Sequence, residues 1–309
     1  MPDGLVVVDK PAGWTSHDVV GKLRRIYGTK RVGHAGTLDP DATGVLLVGV
    51  GRVTRLLRFL QVADKSYRGE VAFGIATDTL DAAGVVLERA PLPVSRAELL
   101  AVIPRFVGDI EQVPPMVSAL KVGGRKLYEL ARRGETIERE ARPVHIDAIT
   151  VLDLVEGPYP VATIEVHCGS GTYIRSLAAD LGAALGGLAH LRSLRRLTVG
   201  VFTLDDAATI EAIESDPAAA RLTPAAALRH LPRFEVDAEA ARAVGHGVVF
   251  PASALAGFRA AAPDPSAPPA GTDGPLALVD ADGRLLAVYE GKGASLRPAV
   301  VLVPAGGGA

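Results

Sequence analysis

The sequence predicts an α+β fold: a mixed or largely antiparallel sheet with helices set irregularly around it. Two observations carry that prediction. Strand-like and helix-like segments both recur along the chain, but without the regular alternation that builds a parallel βαβ sheet. Apolar residues make up 48% of the 309 residues and charged residues 22%, enough to bury a large core.

The elements follow in order. Leu5–Val8 is an apolar, strand-length run and reads as a buried strand. Ser16 stands where an N-cap belongs; Val19, Val20, Leu23, Ile26 and Tyr27 follow at helical spacing, and Gly28 ends the helix. Val45–Val50 is a second buried strand, Thr54–Leu60 a short helix, and Ser66–Ile75 a further strand. Ser95 with Glu98 three residues on forms a capping box ahead of Leu99, Leu100, Val102 and Ile103. In Val161–Cys168, Ile164, Val166 and Cys168 alternate with Thr163, Glu165 and His167, as in a strand with one buried face. Gly169-Ser170-Gly171 then turns the chain into a helix over Thr172–Leu185.

After Leu231 the texture changes. Phe234–Ala243 is amphipathic, and Leu276–Val279 and Leu285–Tyr289 flank the hairpin turn Asp280-Ala281-Asp282-Gly283. The expected organisation is a large domain over residues 1–232 and a small β-rich domain over residues 233–309. Within the latter, Arg259–Pro275 has almost nothing to bury and reads as a flexible loop, and Pro304–Ala309 as a frayed tail.

The formal charge of −2 argues on its face against a nucleic-acid binder. The two halves differ, however: residues 1–200 balance at +3 and residues 201–309 at −5. Cys168 is the only cysteine, which excludes an intrachain disulfide and a cysteine-based zinc site. The first residues lack the basic start and long apolar run of a signal peptide, and no apolar run is long enough to span a bilayer. The expectation is a soluble, intracellular and cytoplasmic chain.

Chemistry concentrates in Gly33-His34-Ala35-Gly36-Thr37-Leu38-Asp39-Pro40-Asp41-Ala42-Thr43-Gly44, a polar loop between a helix and a buried strand. Asp-Pro by itself is an ordinary turn starter. Here glycines flank His34, allowing close backbone approach to a ligand, and the loop runs straight into the rigid Val45–Val50 strand. His34, Asp39 and Asp41 invite comparison with a metal site, but a third neutral ligand and helical i, i+4 spacing are missing. A phosphate loop fits less well, because no Gly-Lys-Ser/Thr closes the segment.

The segment Gly33–Leu46 closely resembles the catalytic motif of TruB-type tRNA pseudouridine synthases. Four further segments resemble family motifs in the same order. Asp9-Lys10-Pro11-Ala12-Gly13-Trp14-Thr15-Ser16 matches the opening motif, Lys65-Ser66-Tyr67-Arg68 the tyrosine motif, and Cys168–Leu177 the arginine motif, with Ala189–Arg196 after it. Val113–Lys121 is similar to the stretch leading into the family's RNA-gripping insertion, expected here at about 121–145. The resemblance covers most of the first 200 residues. It implies a pseudouridine-synthase catalytic domain and isomerisation of uridine to pseudouridine at position 55, in the T loop of tRNA, with no cofactor and no metal.

The resemblance also implies roles. A base within a folded loop must be flipped out to react, and His34 would fill the gap it leaves. Asp39 would be the nucleophile or the base that activates the ribose. Arg175 would keep that carboxylate charged and aimed, whereas an ordinary arginine at a helix start is disfavoured by the dipole. Tyr67, which the residues alone would place in a core, would stack on the uracil and, as a catalytic residue, pass on the proton leaving carbon 5; Tyr173 and Leu194 would line the pocket. Lys10, Lys121, Arg125, Lys126, Arg132 and Arg133 are the expected RNA-binding cations.

Three basic clusters suit phosphate contacts, although charge runs are commonly solvated faces. Lys22, Arg24, Arg25, Lys30 and Arg31 form one; Arg52, Arg55, Arg58, Lys65 and Arg68 another; Lys121–Arg142 holds seven Lys/Arg against four Glu. The family's bacterial members imply a PUA-like RNA-binding domain at the C-terminus, yet residues 233–309 carry only six Lys/Arg. The expected partner is tRNA, through its T-stem-loop, for a stand-alone monomer with no obligate protein partner. The competing readings are a tRNA-binding or folding module without catalysis, and an archaeal-type synthase working inside a guide-RNA complex.

Overall fold

The computed structural model describes residues 3–117, 137–260 and 274–303, with the backbone of Lys121–Val122 and Arg125–Lys126. The α+β class expected from the sequence is the class observed.

One large sheet forms the body. In chain order it contains β1 (Gly4–Lys10), β2 (Val32–Ala35), β3 (Thr43–Val50) and β4 (Lys65–Phe73). Strands β5 (Ile75–Thr77) and β6 (Val86–Arg89) pair as a separate hairpin, followed by β7 (Gly108–Gln112) and the small hairpin β8 (Lys121–Val122) and β9 (Arg125–Lys126). Then come β10 (Arg142–Val155), β11 (Val161–Cys168), β12 (Ala189–Val199), β13 (Phe202–Thr203) and β14 (Arg221–Leu222). The spatial order is β14-β1-β3-β12-β4-β11-β10-β7, with β2 paired to β3 and β13 to β12.

Every pairing in that sheet is antiparallel except one: β12 runs parallel to β3, with Arg195 opposite Thr43 and Arg196 opposite Gly44. The loop before β3 therefore opens onto the middle of the sheet. Gly44 has φ +99° and a Cβ there would run into the backbone of Arg196, so only glycine fits.

Helices α1 (Ser16–Ile26), α2 (Arg58–Gln61), α3 (Arg96–Val102), α4 (Ile174–Ala184), α5 (Ile210–Ser215) and α6 (Pro224–Ala227) surround the sheet. The start of α1 corrects the sequence reading by one residue. Thr15 is the N-cap and shares a capping box with Asp18, while Ser16 is buried and its hydroxyl accepts from Leu38 N–H and donates to Leu38 C=O. The Ser95–Glu98 box on α3 forms as expected. Thr54–Leu60 is not one helix: a 3₁₀ turn over Gly51–Arg55 precedes α2.

A second sheet begins at Arg233, with strands β15 (Arg233–Glu235), β16 (Phe250–Pro251), β17 (Arg259–Ala260), β18 (Pro275–Val279), β19 (Leu285–Lys292) and β20 (Ser295–Val301), and helix α7 (Ala238–Gly245). β18 and β19 form the hairpin expected around Asp280–Gly283. The segment expected as a loop is structured at both ends, because Arg259–Ala260 pairs with β15 and Pro275 opens β18; 261–273 lie outside the described residues, as does the 304–309 tail. Ala277, Val279, Leu285 and Val288 of this sheet share one apolar cluster with Leu5, Val7, Val45 and Leu47 of the large sheet.

That docking engages three residues of the second basic cluster with the C-terminal sheet, though Arg55 and Arg58 remain exposed. Arg52 pairs with Asp3 and donates to Leu302 C=O, Arg55 donates to Val301 C=O at 2.8 Å, and Arg58 pairs with Glu290. Lys65 is buried and Arg68 pairs with Glu165. In the first cluster, Lys22 is neutralised by Glu214 at 2.6 Å.

Candidate active site

A cleft of about 440 Å³ opens where β2, the loop before β3, β4 and β12 meet the start of α4. It gathers His34, Asp39, Tyr67, Tyr173, Arg175 and Leu194, residues spread over 161 positions of sequence. All six candidates assigned to chemistry or the substrate pocket therefore line one cavity.

Asp39 and Arg175 are its chemical centre. Arg175 is buried, with 5% of its side chain exposed, and makes a two-point contact to the carboxylate: Nε to Oδ2 at 3.1 Å and Nη2 to Oδ1 at 3.3 Å. Planar guanidinium matches carboxylate in that fork, fixing the direction of the charge as well as its sign. The carboxylate keeps 41% of its side-chain surface, so a ligand in the cleft can reach it. Burial raises the Asp39 pKa above the usual carboxylate value; Arg175 pulls the other way, Asp81 adds to the rise and Lys10 opposes it.

Arg175 is itself held by a support that the sequence reading missed. Its Nη1 donates to Thr79 C=O at 3.2 Å and meets Asp81 Oδ2 at 3.3 Å, and Nη2 donates to Val117 C=O at 2.7 Å. Asp81 in turn accepts from Thr79 Oγ1 at 2.6 Å, and Thr77 Oγ1 donates to Asp81 C=O at 2.7 Å. Leu80, just before it, has φ +62°, a left-handed conformation costly for a branched apolar residue and maintained by surrounding bonds. Gln112 fixes the chain entering α4: its amide accepts from Tyr173 N–H at 2.7 Å and donates to Tyr173 C=O at 3.0 Å. Neither Asp81 nor Gln112 sits in a distinctive sequence pattern.

Lys10 corrects another expectation. It does not face RNA: it is fully buried, and Nζ donates to the carbonyls of Pro11, Trp14 and Pro40 at 2.8, 2.6 and 2.8 Å. All three ammonium donors are used. They tie the turn after β1 to Pro40, the residue beside Asp39. Burial lowers the Lys10 pKa to about 8, against the raising pull of Asp41 and Asp39.

Arg196 performs the same office from β12. Buried almost completely, it donates from Nε to Val45 C=O at 2.7 Å and from Nη2 to Gly36 C=O at 3.2 Å. It also stands across from Tyr67 in the β4–β12 register. Burial raises the Tyr67 pKa and Arg196 opposes the rise, so Tyr67 presents a neutral ring to the cleft. His34 is half-buried, and burial holds its imidazole below the usual value, with His17 and Arg196 adding to that.

The metal reading of His34, Asp39 and Asp41 finds no such cluster: among the described residues, no three His, Cys, Asp or Glu side chains gather to hold an ion. Of the insertion cations, Lys121, Arg125 and Lys126 belong to β8 and β9, their side chains lying outside what is described; Arg132 and Arg133 lie wholly outside the described residues.

Residues 24–174 match the family model for the N-terminal domain of TruB family pseudouridylate synthases, and residues 175–231 match the C-terminal domain of tRNA pseudouridylate synthase B. The chain belongs to the TruB family. It is 45% identical over 307 residues to tRNA pseudouridine synthase B of Thermobifida fusca, covering 97% of this chain and 99% of the relative. The enzyme of the same name from Symbiobacterium thermophilum is 51% identical over 247 residues, covering 80% and 82%. Among solved structures, a Cbf5-Nop10-Gar1 complex aligns with a TM-score of 0.71 and 26% identity over 98% of this chain and 85% of that one. A 24% identical chain, from an H/ACA RNP bound to a substrate RNA containing 2'-deoxyuridine, aligns with a TM-score of 0.72 over 98% and 86%, and carries the fold alone.

Proposed function

We propose that the tRNA uridine isomerised by this TruB family enzyme is position 55 of the T loop, and that Asp39 acts on it directly. The observation that carries the reading is the two-point Arg175–Asp39 contact at the base of an open cleft. A purely binding module has no use for a carboxylate aimed at RNA, which is itself polyanionic.

The isomerisation needs no net change of atoms. The N1–C1′ bond of the uridine breaks, the uracil turns over, C5 bonds to C1′, and the C5 proton is lost while N1 gains one. Asp39 serves this only as an anion, and Arg175 favours that form against the pull of burial. The flipped uracil stacks on the neutral ring of Tyr67, between Tyr173 and Leu194. His34, at the lip of the same cleft, fills the gap that the base leaves in the loop.

Outside the cleft, the cations of the 121–145 insertion grip the T stem, and the sheet from Arg233 onward is a PUA-like domain. We read the chain as a stand-alone cytoplasmic monomer without an obligate protein partner. Among the described residues no helix is long and apolar enough to cross a membrane.

The test is tritium release from tRNA labelled at uridine C5, comparing wild type with Asp39→Ala, and tRNA with cytidine in place of uridine 55. Release by wild type from the uridine-55 tRNA alone is the expected result, with Asp39→Ala binding RNA about as tightly. No release by either protein, with tight binding intact, would favour the binding-module reading; undiminished release from the cytidine-55 tRNA would move the target elsewhere.

A further inference from the structure

His34 is fixed firmly by its backbone and less firmly by its ring, whose polar neighbour is the Gly36 backbone. Its strand, β2, is fixed against β3 with His34 opposite Val48. The ring's Nδ1 is buried and has no hydrogen-bond partner among the described residues. A buried imidazole is ordinarily oriented by a bond to one of its nitrogens. Besides the Gly36 backbone, the ring's neighbour is another ring: His17 lies 5.5 Å away, centroid to centroid, at an interplanar angle of 71°. It is the only aromatic neighbour of His34 among the described residues.

We infer that His17 is a positioning residue for catalysis, setting the plane of the His34 ring by edge-to-face packing so that it enters the RNA stack already aligned. The inference rests on the reading of His34 as the residue that replaces the flipped base. A flat ring fits between bases in one orientation only, so ring rotation in the free enzyme would have to be suppressed at each binding event.

His17 is well mounted for this. It is the second residue of α1, whose first turn is pinned by the Thr15–Asp18 capping box. The adjacent Ser16 bonds in both directions to Leu38, on the loop that carries Asp39. The mount is thus tied to the loop that carries Asp39. His17 itself is exposed.

The test is stopped-flow fluorescence of a T-arm RNA with 2-aminopurine beside the target uridine, which reports unstacking, together with steady-state turnover. The variants are His17→Ala, His17→Phe, His34→Ala and the double alanine variant. An edge-to-face pair is worth roughly 2- to 12-fold in an equilibrium, and His17→Ala is expected to slow unstacking and kcat by a factor in that range. KM and thermal midpoint stay as in wild type. His17→Phe restores most of the rate, because it keeps the ring and removes the nitrogens. In the His34→Ala background, replacing His17 has no further effect, which a merely structural role would not produce.

Wild-type unstacking in His17→Ala would overturn the inference, as would the same loss in both His34 backgrounds. Normal unstacking in His34→Ala would instead overturn the reading of His34 on which it stands.

Discussion

Lys10→Met separates a buried tether from a phosphate contact. The ammonium is out of solvent and bonded to three carbonyls. Its displacement from 10.5 to about 8 corresponds to about 3 kcal/mol of disfavoured charge near neutral pH. That displacement is the net balance left after the three bonds to a charged donor, at about 1.5 kcal/mol or more each, have offset part of the cost of burial. Methionine keeps the apolar stem and removes the penalty and the bonds together. The expected change in urea-denaturation stability at pH 7 is therefore within about 3 kcal/mol.

Activity behaves differently. Pro40 loses its tether beside Asp39, and a misplacement approaching 1 Å costs about 100-fold, so kcat in the tritium-release assay is expected to fall by about 10- to 100-fold. KM and its salt dependence do not move. Wild-type turnover also declines as the pH rises through about 8, where Lys10 loses its charge. Stability moves oppositely: between about 8 and 10.5 the unfolded chain holds a proton at Lys10 that the folded chain lacks, so this group favours folding more as pH rises. Lys10→Met abolishes both trends. A raised KM with a shallower salt slope, at unchanged kcat, would put the ammonium on a phosphate and refute the reasoning.

Arg175→Lys keeps a charge but loses the fork to Asp39; kcat is expected to fall by about 100-fold, and the acid limb of the pH–kcat profile to move to higher pH. The direction follows because the active Asp39 anion disappears as pH falls through its pKa, which burial already raises and Arg175 opposes. Gly44→Ala puts a Cβ against the Arg196 backbone at φ +99° and should destabilise by about 2 kcal/mol or more, read by urea denaturation; unchanged stability would mean the β3–β12 seam can give. Replacing Lys126, Arg132 and Arg133 together is expected to weaken RNA binding and flatten its salt dependence. An unchanged slope in a filter-binding titration would remove the insertion from the RNA contact.

Much of the local structure was legible in residue pattern. The Ser95–Glu98 box, the one-faced strand ending at Cys168 and the Asp280–Gly283 hairpin turn rest on interactions between residues a few positions apart, and they form as read. The pocket residues were legible for another reason: five motifs in family order carry more information than any one. The misreadings share a cause. Ser16 is polar in either role, and only the proximity of Leu38, 22 residues away, decides that its hydroxyl is buried there and Thr15 caps the helix.

Charge shows the division most clearly. The sequence by itself determined the fold class through periodicity and capping, which are local, and the family through five motifs in order, whose resemblance implied the cavity's six candidate residues. It also determined how many cations the chain has. Where each cation goes was decided by the tertiary structure. Lys10 finds Pro40, Arg196 finds Gly36 and Val45, Arg52 and Arg55 find the last strand's end, and Asp81 finds Arg175 across 94 residues. Lys10, which reads as a phosphate contact, becomes a backbone tether because folding removes it from water and surrounds it with carbonyls, and no window of sequence contains both Lys10 and Pro40.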